Sequence, residues 1–166
     1  MKLMTEDIDH PTLGNLAQAA TARLESVVSN VTQLAQSMDE LNIVPMLVRD
    51  CVNYALANLR RTWEHKEDMA RISVQMDTNL PPVMGDRQSI STVLQLLIDN
   101  ALKFSQQAVE IDVHVVNEQV EIRVRDYGIG IPKSKRQAIF DTFFQIDSSS
   151  IRRFGGIGVG LSIVKM

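Results

Sequence analysis

The sequence has almost no cysteine and few aromatic residues. Its 166 residues include a single cysteine, Cys51, and only 5% are aromatic. No disulfide can form within the chain, and the count fits a reducing compartment. The three histidines, His10, His65 and His114, lie far apart, and with one cysteine they form no zinc-binding spacing. A disulfide framework is therefore excluded, and a structural metal site is not expected.

Positive charge and long apolar runs are also missing. The formal net charge is -3, so there is no broad basic field to attract nucleic acid or an anionic membrane. No apolar run reaches the roughly 18 residues of a membrane span, and the N-terminus lacks a signal-peptide core. We therefore expect a soluble, cytoplasmic segment without nucleic-acid or membrane contacts of its own, which leaves open a membrane anchor in a longer protein.

A regular apolar stripe is present near the N-terminus. From Leu13 to Leu41 apolar residues alternate spacings of four and three, as the a and d positions of a coiled coil do. Because the stripe is narrow and regular, it favours a helix that pairs with other helices, as in a homodimer, over one packed on its own domain. We assign residues 1–41 to this helical segment and residues 42–166 to a separate domain.

Helices and strands alternate after residue 41. Pro45 suits the first turn of a helix, a strand is predicted over 71–77, and Asp86 is placed to cap the next helix. Two strands joined by a turn at Asn117 and Glu118 follow, then a short helix over 133–139, a polar loop over 141–154 and a last helix. The predicted buried face of the first helix is Leu47, Val48, Cys51, Val52, Ala55, Leu56 and Leu59. The predicted core face of the helix after Asp86 is Ile90, Val93, Leu94, Leu97, Ala101 and Phe104.

Polar residues interrupt this apolar helix. Leu96, Asn100, Lys103 and Phe104 follow one another at helical spacings and share one side. An amide oxygen can bind a hard cation such as Mg²⁺, and a lysine supplies a point charge for phosphate oxygens. A buried asparagine beside a snorkelling lysine accounts for the same pattern, so the helix alone does not decide between the two.

Two glycine-containing motifs follow. Asp126-x-Gly128-x-Gly130 comes directly after a strand, where a carboxylate could accept a hydrogen bond from an exocyclic amine, although a simple Asp-Gly turn is an alternative. The run from Gly155 to Gly160 precedes the last helix, and backbone N–H groups there would suit a phosphate. Its spacing fits neither a P-loop nor a dinucleotide fingerprint.

Taken in order, these motifs resemble one known family. Over residues 42–166 the chain resembles the ATP-binding catalytic domain of sensor histidine kinases. Four motifs are similar to the conserved boxes of that domain: Asn-Ala-x-Lys-Phe, Asp-x-Gly-x-Gly-Ile-Pro, the segment 139–145 and the glycine run. The wider superfamily includes gyrase and the ninety-kilodalton heat-shock chaperone. The resemblance implies an α+β fold, a two-layer sandwich of a mixed sheet with helices on one face (the Bergerat ATP-binding fold). The heptad-patterned helix before it resembles the second helix of the family's dimerisation hairpin.

The resemblance also implies roles for individual residues. Asn100 is expected to bind Mg²⁺, Lys103 to contact phosphate and Phe104 to line the pocket of the nucleotide. Asp126 is expected to recognise the adenine amine, with Gly128 and Gly130 shaping the pocket wall. Phe140, Phe143 and Phe144 would anchor a lid or act as plain core aromatics. The remaining expected nucleotide-binding residues are Arg152, Arg153, Gly156, Gly158, Gly160 and Leu161.

The sequence departs from the family at several positions. No histidine lies in a motif like His-Glu-Leu-Arg-x-Pro, so we expect the phospho-acceptor outside this chain. The family's final hairpin does not follow the last helix, and Ile157 stands where a hydroxyl residue is common. Leu96 stands where the ATP-hydrolysing branches carry a glutamate. Leucine cannot act as a general base, which disfavours hydrolysis and leaves transfer to a protein side chain open.

The implied function is therefore movement of the γ-phosphoryl of Mg·ATP to a histidine on another segment, and from there to a response regulator. The chain alone is not expected to autophosphorylate. Two alternatives remain. One is a non-catalytic interaction module of the same fold, in which nucleotide is absent or regulatory. The other is a serine kinase that acts on a partner protein.

Overall fold

The computed structural model describes residues 21, 28, 32, 41–146 and 160–165. The strands in these ranges are β1 (Val44–Met46), β2 (Ile72–Met76), β3 (Val83–Gly85), β4 (Val109–Val116) and β5 (Gln119–Asp126). The α-helices in the same ranges, apart from the isolated positions before residue 41, are α1 (Val48–Thr62), α2 (Arg87–Phe104) and α3 (Gly160–Lys165). Short 3₁₀ helices cover Lys66–Arg71, Lys133–Lys135 and Ala138–Phe140.

The larger sheet is mixed, with the strand order β2-β4-β5. β2 runs parallel to β4, with Ile72 opposite Val109, and β4 runs antiparallel to β5, with Val109 opposite Asp126. The hairpin turns at Asn117 and Glu118, whose φ angles of 49° and 63° are both positive. Type I′ turns require positive φ at both central residues, so the turn predicted at this pair is confirmed.

The smaller sheet overturns the prediction for Pro45. This residue lies in β1, opposite Met84 of β3, and α1 begins at Val48 instead. Proline can sit in this strand because the sheet has two strands only, so each strand has an open edge on which a missing N–H is not needed. The short strand β3 was not predicted, because three residues are too few for an alternating pattern.

The core lies between the helices and one face of the larger sheet. Val109, Ile111 and Val113 of β4 are fully buried, and alternate residues on the strand are more exposed. The predicted buried face of α1 is confirmed from Val48 to Leu59, except that Leu47 lies before the helix and is 48% exposed. This arrangement is the expected α+β fold of two layers.

The buried face of α2 differs from the prediction. Leu94, Ile98, Ala101 and Leu102 are buried, whereas Leu97 is half-buried and Phe104 is 37% exposed. Ile90 and Val93 are also half-buried. Apolar residues occupy so many consecutive positions here that periodicity alone selects no face, and packing on α1 and the sheet selects Ile98.

Other predictions have mixed outcomes. The strand predicted over 71–77 is β2, and the helix predicted over 133–139 is replaced by two separate 3₁₀ segments. In the N-terminal segment, between positions of the apolar stripe, Thr21, Val28 and Thr32 are helical, and Thr32 Oγ1 donates to the Val28 carbonyl at 2.8 Å. The rest of residues 1–40 lies outside the described residues, so the long helix remains a prediction. Within the described residues, no helix is both long and apolar enough to cross a bilayer.

Candidate functional site

The site is organised around α2, whose N-terminus is held by Asp86. Its Oδ1 accepts a hydrogen bond from the Ser89 N–H at 2.7 Å, and its Oδ2 accepts one from the Asn42 N–H at 3.0 Å. The Ser89 hydrogen bond, which favours the carboxylate, is the main reason that the pKa of Asp86 is below its ordinary value. The predicted N-cap is therefore confirmed, and the same residue ties α2 to the segment before β1.

Arg71 holds the opposite end of α2. One of its guanidinium nitrogens, Nη1, donates to the carbonyl oxygens of Ser105 at 2.8 Å and Gln107 at 3.0 Å, and Nη2 donates to that of Leu102 at 3.3 Å. The last carbonyls of a helix have no partner within the helix, so Arg71 supplies one from outside. Asp68 orients the guanidinium through contacts of 3.0–3.1 Å, and Trp63 Nε1 donates to the same carboxylate.

Sequence reasoning missed Arg71. The pattern placed it at the start of a strand, and nothing in its neighbourhood indicates that it reaches the end of a helix more than 30 residues later. It is a positioning residue, since it fixes the turn that carries Lys103 and Phe104.

Asn100 and Lys103 lie on the less buried side of α2. Both are half-buried, and neither belongs to the buried core. Lys103 Nζ lies 2.5 Å from Asp99 Oδ2, one helical turn earlier, in an ion pair that the sequence analysis did not consider. Phe104, at the end of the helix, is more exposed than either of them.

The Asp126 turn is fastened directly to the end of α2. Asp126 Oδ1 accepts from the Gly128 N–H at 2.9 Å, and the Ile129 N–H donates to the Phe104 carbonyl at 3.3 Å. Gly128 lies against the same carbonyl group, and Gly130 has a φ of 67°, which favours glycine. Two motifs that are separate in sequence are therefore adjacent in the structure.

The third motif reaches α2 through its last glycine. A Cβ on Gly160 would lie 3.4 Å from Leu96 Cδ2, one turn before Asn100 on the same side of α2. Gly160 and Leu161 are half-buried at the start of α3, and Ile163 packs inward. Arg152, Arg153, Gly156 and Gly158 lie outside the described residues, so their expected roles remain predictions.

The aromatic segment follows the Asp126 turn, and its 3₁₀ helix Ala138–Phe140 contacts α3. Phe140 and Phe144 are half-buried, and Lys135 Nζ lies 5.7 Å from the centre of the Phe144 ring. Phe143 is 66% exposed with a φ of 67°, which is unusual for a residue with a side chain. Phe143 is too exposed to be a core aromatic residue. The role of the three phenylalanines in anchoring a lid stays a prediction.

Two concavities lie away from the junction. One, of about 440 Å³, is lined by residues at the start of α2 together with Asn42, Val44 and Tyr54. The other, of about 670 Å³, lies between Ser134 and Lys165. Neither is lined by Asn100 or Asp126. The motifs, and not the depth of a cavity, therefore identify the site.

Comparison with known proteins agrees with these motifs. The family described as "Histidine kinase-, DNA gyrase B-, and HSP90-like ATPase" matches residues 85–166, which include α2, the Asp126 turn and α3. Sensor histidine kinase WalK of Bacillus subtilis is 40% identical over 100 residues, covering 55% of this chain and 16% of that protein. The chain thus spans about a sixth of the length of this relative.

Solved structures share the fold. A mycobacterial sensor histidine kinase, MprB, superposes with a TM-score of 0.58 at 26% identity, over 74% of this chain and 76% of that one. ShkA, solved at full length in complex with AMPPNP, gives a TM-score of 0.70 at 22% identity, over 99% of this chain and 34% of that one. The α+β fold of the described residues is therefore that of histidine kinase catalytic domains.

Proposed function

Because residues 85–166 match the family of histidine kinase-, DNA gyrase B- and HSP90-like ATPases, we propose that this chain binds Mg·ATP at the junction of α2 with the Asp126 turn. In its parent protein the domain would transfer the γ-phosphoryl group to a histidine. The observation that carries the proposal is the hydrogen bond from the Ile129 N–H to the Phe104 carbonyl at 3.3 Å. It holds the residue expected to recognise adenine next to the helix expected to hold metal and phosphate.

Asp126 has the capacity for its proposed role. Its Oδ1 accepts the Gly128 N–H, and an ionised carboxylate offers about four acceptor positions. It can therefore hold the turn and still accept a hydrogen bond from the adenine amine. Gly128 lets the turn pack directly on the Phe104 carbonyl, and the space beside Gly130 is open and leaves room for the ring. The exposed Phe104 side chain offers an apolar surface to it.

Asn100 and Lys103 would meet the phosphates. The amide oxygen of Asn100 is a hard ligand that suits Mg²⁺, and the Lys103 ammonium is a point charge for phosphate oxygens. Among the described residues no group of three or more His, Cys, Asp or Glu side chains could hold a metal. A Mg²⁺ ion at the proposed site would be held mainly by substrate phosphates with one or two protein ligands. Magnesium there would neutralise developing charge on the phosphates.

The glycine run would complete the phosphate site. Gly156, Gly158 and Gly160 would present backbone N–H groups, together with Leu161 at the start of α3, and Arg152 and Arg153 would approach the terminal phosphate. Gly160 lies beside Leu96 on the side of α2 that carries Asn100. The start of α3 therefore contacts α2 one turn before the proposed metal ligand, which supports this arrangement.

Leu96 bears on the type of reaction. It stands four residues before Asn100 and packs against Gly160. An apolar side chain there cannot take a proton from water. Phosphoryl transfer relies mainly on positioning and charge stabilisation, so transfer to a histidine side chain is the proposed outcome and hydrolysis is not.

The proposed partners follow from the family and from the N-terminal stripe. Residues 1–41 would form a heptad-patterned coiled-coil helix that makes a homodimer, and residues 42–166 would form the catalytic domain. A helix that carries the acceptor histidine would receive the phosphoryl group, and a response regulator would take it in turn. None of His10, His65 and His114 has the sequence neighbourhood of that acceptor.

Calorimetry with a non-hydrolysable ATP analogue and Mg²⁺ tests the binding step. We expect saturable binding by the wild type and a loss of at least tenfold in affinity for Asn100→Ala. Glu121→Gln, which changes an exposed ion pair of β5, serves as the matched control and is expected to bind normally. Absence of binding by folded protein would contradict the proposal.

A second experiment separates the kinase from a non-catalytic module. The chain is mixed with labelled ATP and a polypeptide that carries a histidine kinase acceptor helix. Label on the acceptor histidine supports transfer. Nucleotide binding without any transfer supports the module.

A further inference from the structure

The ion pair between Lys103 and Asp99 stands within the proposed phosphate site. Nζ of the lysine lies 2.5 Å from Oδ2 of the aspartate, and the two side chains are 27% and 26% exposed. An i,i+4 pair of this kind at a helix surface contributes little to the free energy of folding. The ion pair therefore adds little to the stability of the fold, and its main consequence is the position that it gives to the Lys103 ammonium group.

The geometry of a helix places Lys103 between two neighbours. Successive residues are about 100° apart around the axis, so Lys103 lies about 40° from Asp99 and about 60° from Asn100. The four methylene groups of lysine are flexible, so the ammonium can turn to either side. In the structure it is turned to Asp99 and away from the side on which the metal and phosphates are proposed to bind.

We propose that Asp99 is a positioning residue that holds Lys103 in a retracted position and competes with nucleotide phosphates for its ammonium group. The inference depends on the proposed function, because it concerns the same site. When a phosphate chain binds, the lysine exchanges one anionic partner for another. Part of the attraction between lysine and phosphate is then offset by loss of the Asp99 contact.

This competition makes a directional prediction. Replacing Asp99 with asparagine removes the competing charge and keeps the shape of the side chain. Affinity should rise by about two- to fivefold for ligands that carry a phosphate chain, in line with the modest strength of such pairs. A ligand without phosphates should be unaffected. A purely structural role for Asp99 predicts unchanged or weaker binding, since loss of a stabilising contact would not tighten it.

The experiment measures dissociation constants by calorimetry for three ligands, namely the non-hydrolysable ATP analogue with Mg²⁺, ADP with Mg²⁺, and adenosine. The proteins are wild type, Asp99→Asn, Lys103→Met and the double variant. Glu121→Gln is the control, because it removes the same single charge from the exposed pair of Glu121 with Arg123. We expect Asp99→Asn to tighten both phosphorylated ligands, leave adenosine unchanged and lose its effect in the Lys103→Met background.

The outcomes separate the inference from the function on which it depends. No binding to wild type, or no loss of affinity in Lys103→Met, would count against the proposed function or the role of Lys103. With those intact, unchanged or weaker binding by Asp99→Asn would overturn the competition. A gain that persists in full without Lys103 would also overturn it, because it would assign the effect to direct repulsion between Asp99 and phosphate. An equal gain in affinity in Glu121→Gln would also overturn the competition, because it would attribute the effect to the change in net charge.

Discussion

Gly128 packs so closely against Phe104 that a Cβ atom on Gly128 would lie 2.1 Å from the Phe104 carbonyl oxygen. The same carbonyl accepts the Ile129 N–H. This contact joins the turn after β5 to the end of α2. It also gives the glycine a reason that sequence alone did not supply: the space beside it is filled by backbone, and no positive φ is required there.

Replacing Gly128 with alanine should force the turn away from α2. The clash is with backbone atoms, which cannot move aside as a side chain can, and overpacking of this kind costs about 1–3 kcal/mol. We expect lower stability toward urea and faster hydrogen exchange at the Ile129 amide. Gly160→Ala is the control, because its φ is not positive and a Cβ there would make only an ordinary contact, 3.4 Å from Leu96 Cδ2, so the Ile129 amide should stay protected. Equal exchange in both variants would refute this reading of the contact.

Arg71→Met should destabilise the domain by about 2–3 kcal/mol, because it removes a charged donor from the carbonyls at the end of α2. Chemical denaturation measures the effect. Arg71→Lys should recover a part of the loss only, since one ammonium cannot reproduce the planar fork of the guanidinium. The comparison variant is Arg123→Met, which breaks an exposed pair and should cost less than about 1 kcal/mol. Similar losses for the two arginines would contradict the special position of Arg71.

Asp86 should make stability depend on acid pH. Its folded pKa is lowered, mainly by the hydrogen bond from the Ser89 N–H, so its contribution is complete above the unfolded pKa of about 4 and is lost as pH falls through the lower folded value. At pH 7 Asp86→Ala should cost about 0.5–2 kcal/mol, as for other N-caps. Urea unfolding measured between pH 7 and pH 2.5 should show that the difference in unfolding free energy between wild type and Asp86→Ala decreases below pH 4. A difference that stays constant across this pH range would exclude a contribution of the Asp86 charge to stability.

Ile98→Ala should cost about 2–5 kcal/mol, since the side chain is fully buried and its removal leaves a cavity. Leu97→Ala should cost clearly less, because Leu97 is half-buried. The pair removes similar volumes from adjacent positions, which makes denaturant midpoints directly comparable. A larger loss of stability for Leu97→Ala than for Ile98→Ala would indicate that the buried face of α2 is the one that periodicity predicts.

The features that sequence predicted correctly are local ones. Asp86 caps α2 because its side chain reaches an N–H three residues away. Asn117 and Glu118 form a turn because two short alternating segments flank them. The buried face of α1 follows from a single clean apolar stripe. In each case the deciding atoms lie within a few residues of one another.

The features that sequence missed depend on distant partners. Local preference predicts Pro45 in the first turn of a helix, whereas its actual place in β1 depends on pairing with β3. Arg71 was assigned to a strand because nothing local indicates that it reaches Leu102 and Ser105. The pairing of Lys103 with Asp99 is the exception, because it is local and the i,i+4 spacing was enough to predict it.

The amino-acid sequence by itself determined the order of the motifs, the type of most elements and the family, because these depend on residue identity and short-range periodicity. Tertiary structure alone decided which side of α2 is buried and that Arg71 closes the end of that helix. It also decided that Gly128 approaches Phe104 and Gly160 approaches Leu96, one helical turn after and one before Asn100 in α2. Such contacts arise only when packing of the whole core brings distant segments together, and no local pattern records the distance between them.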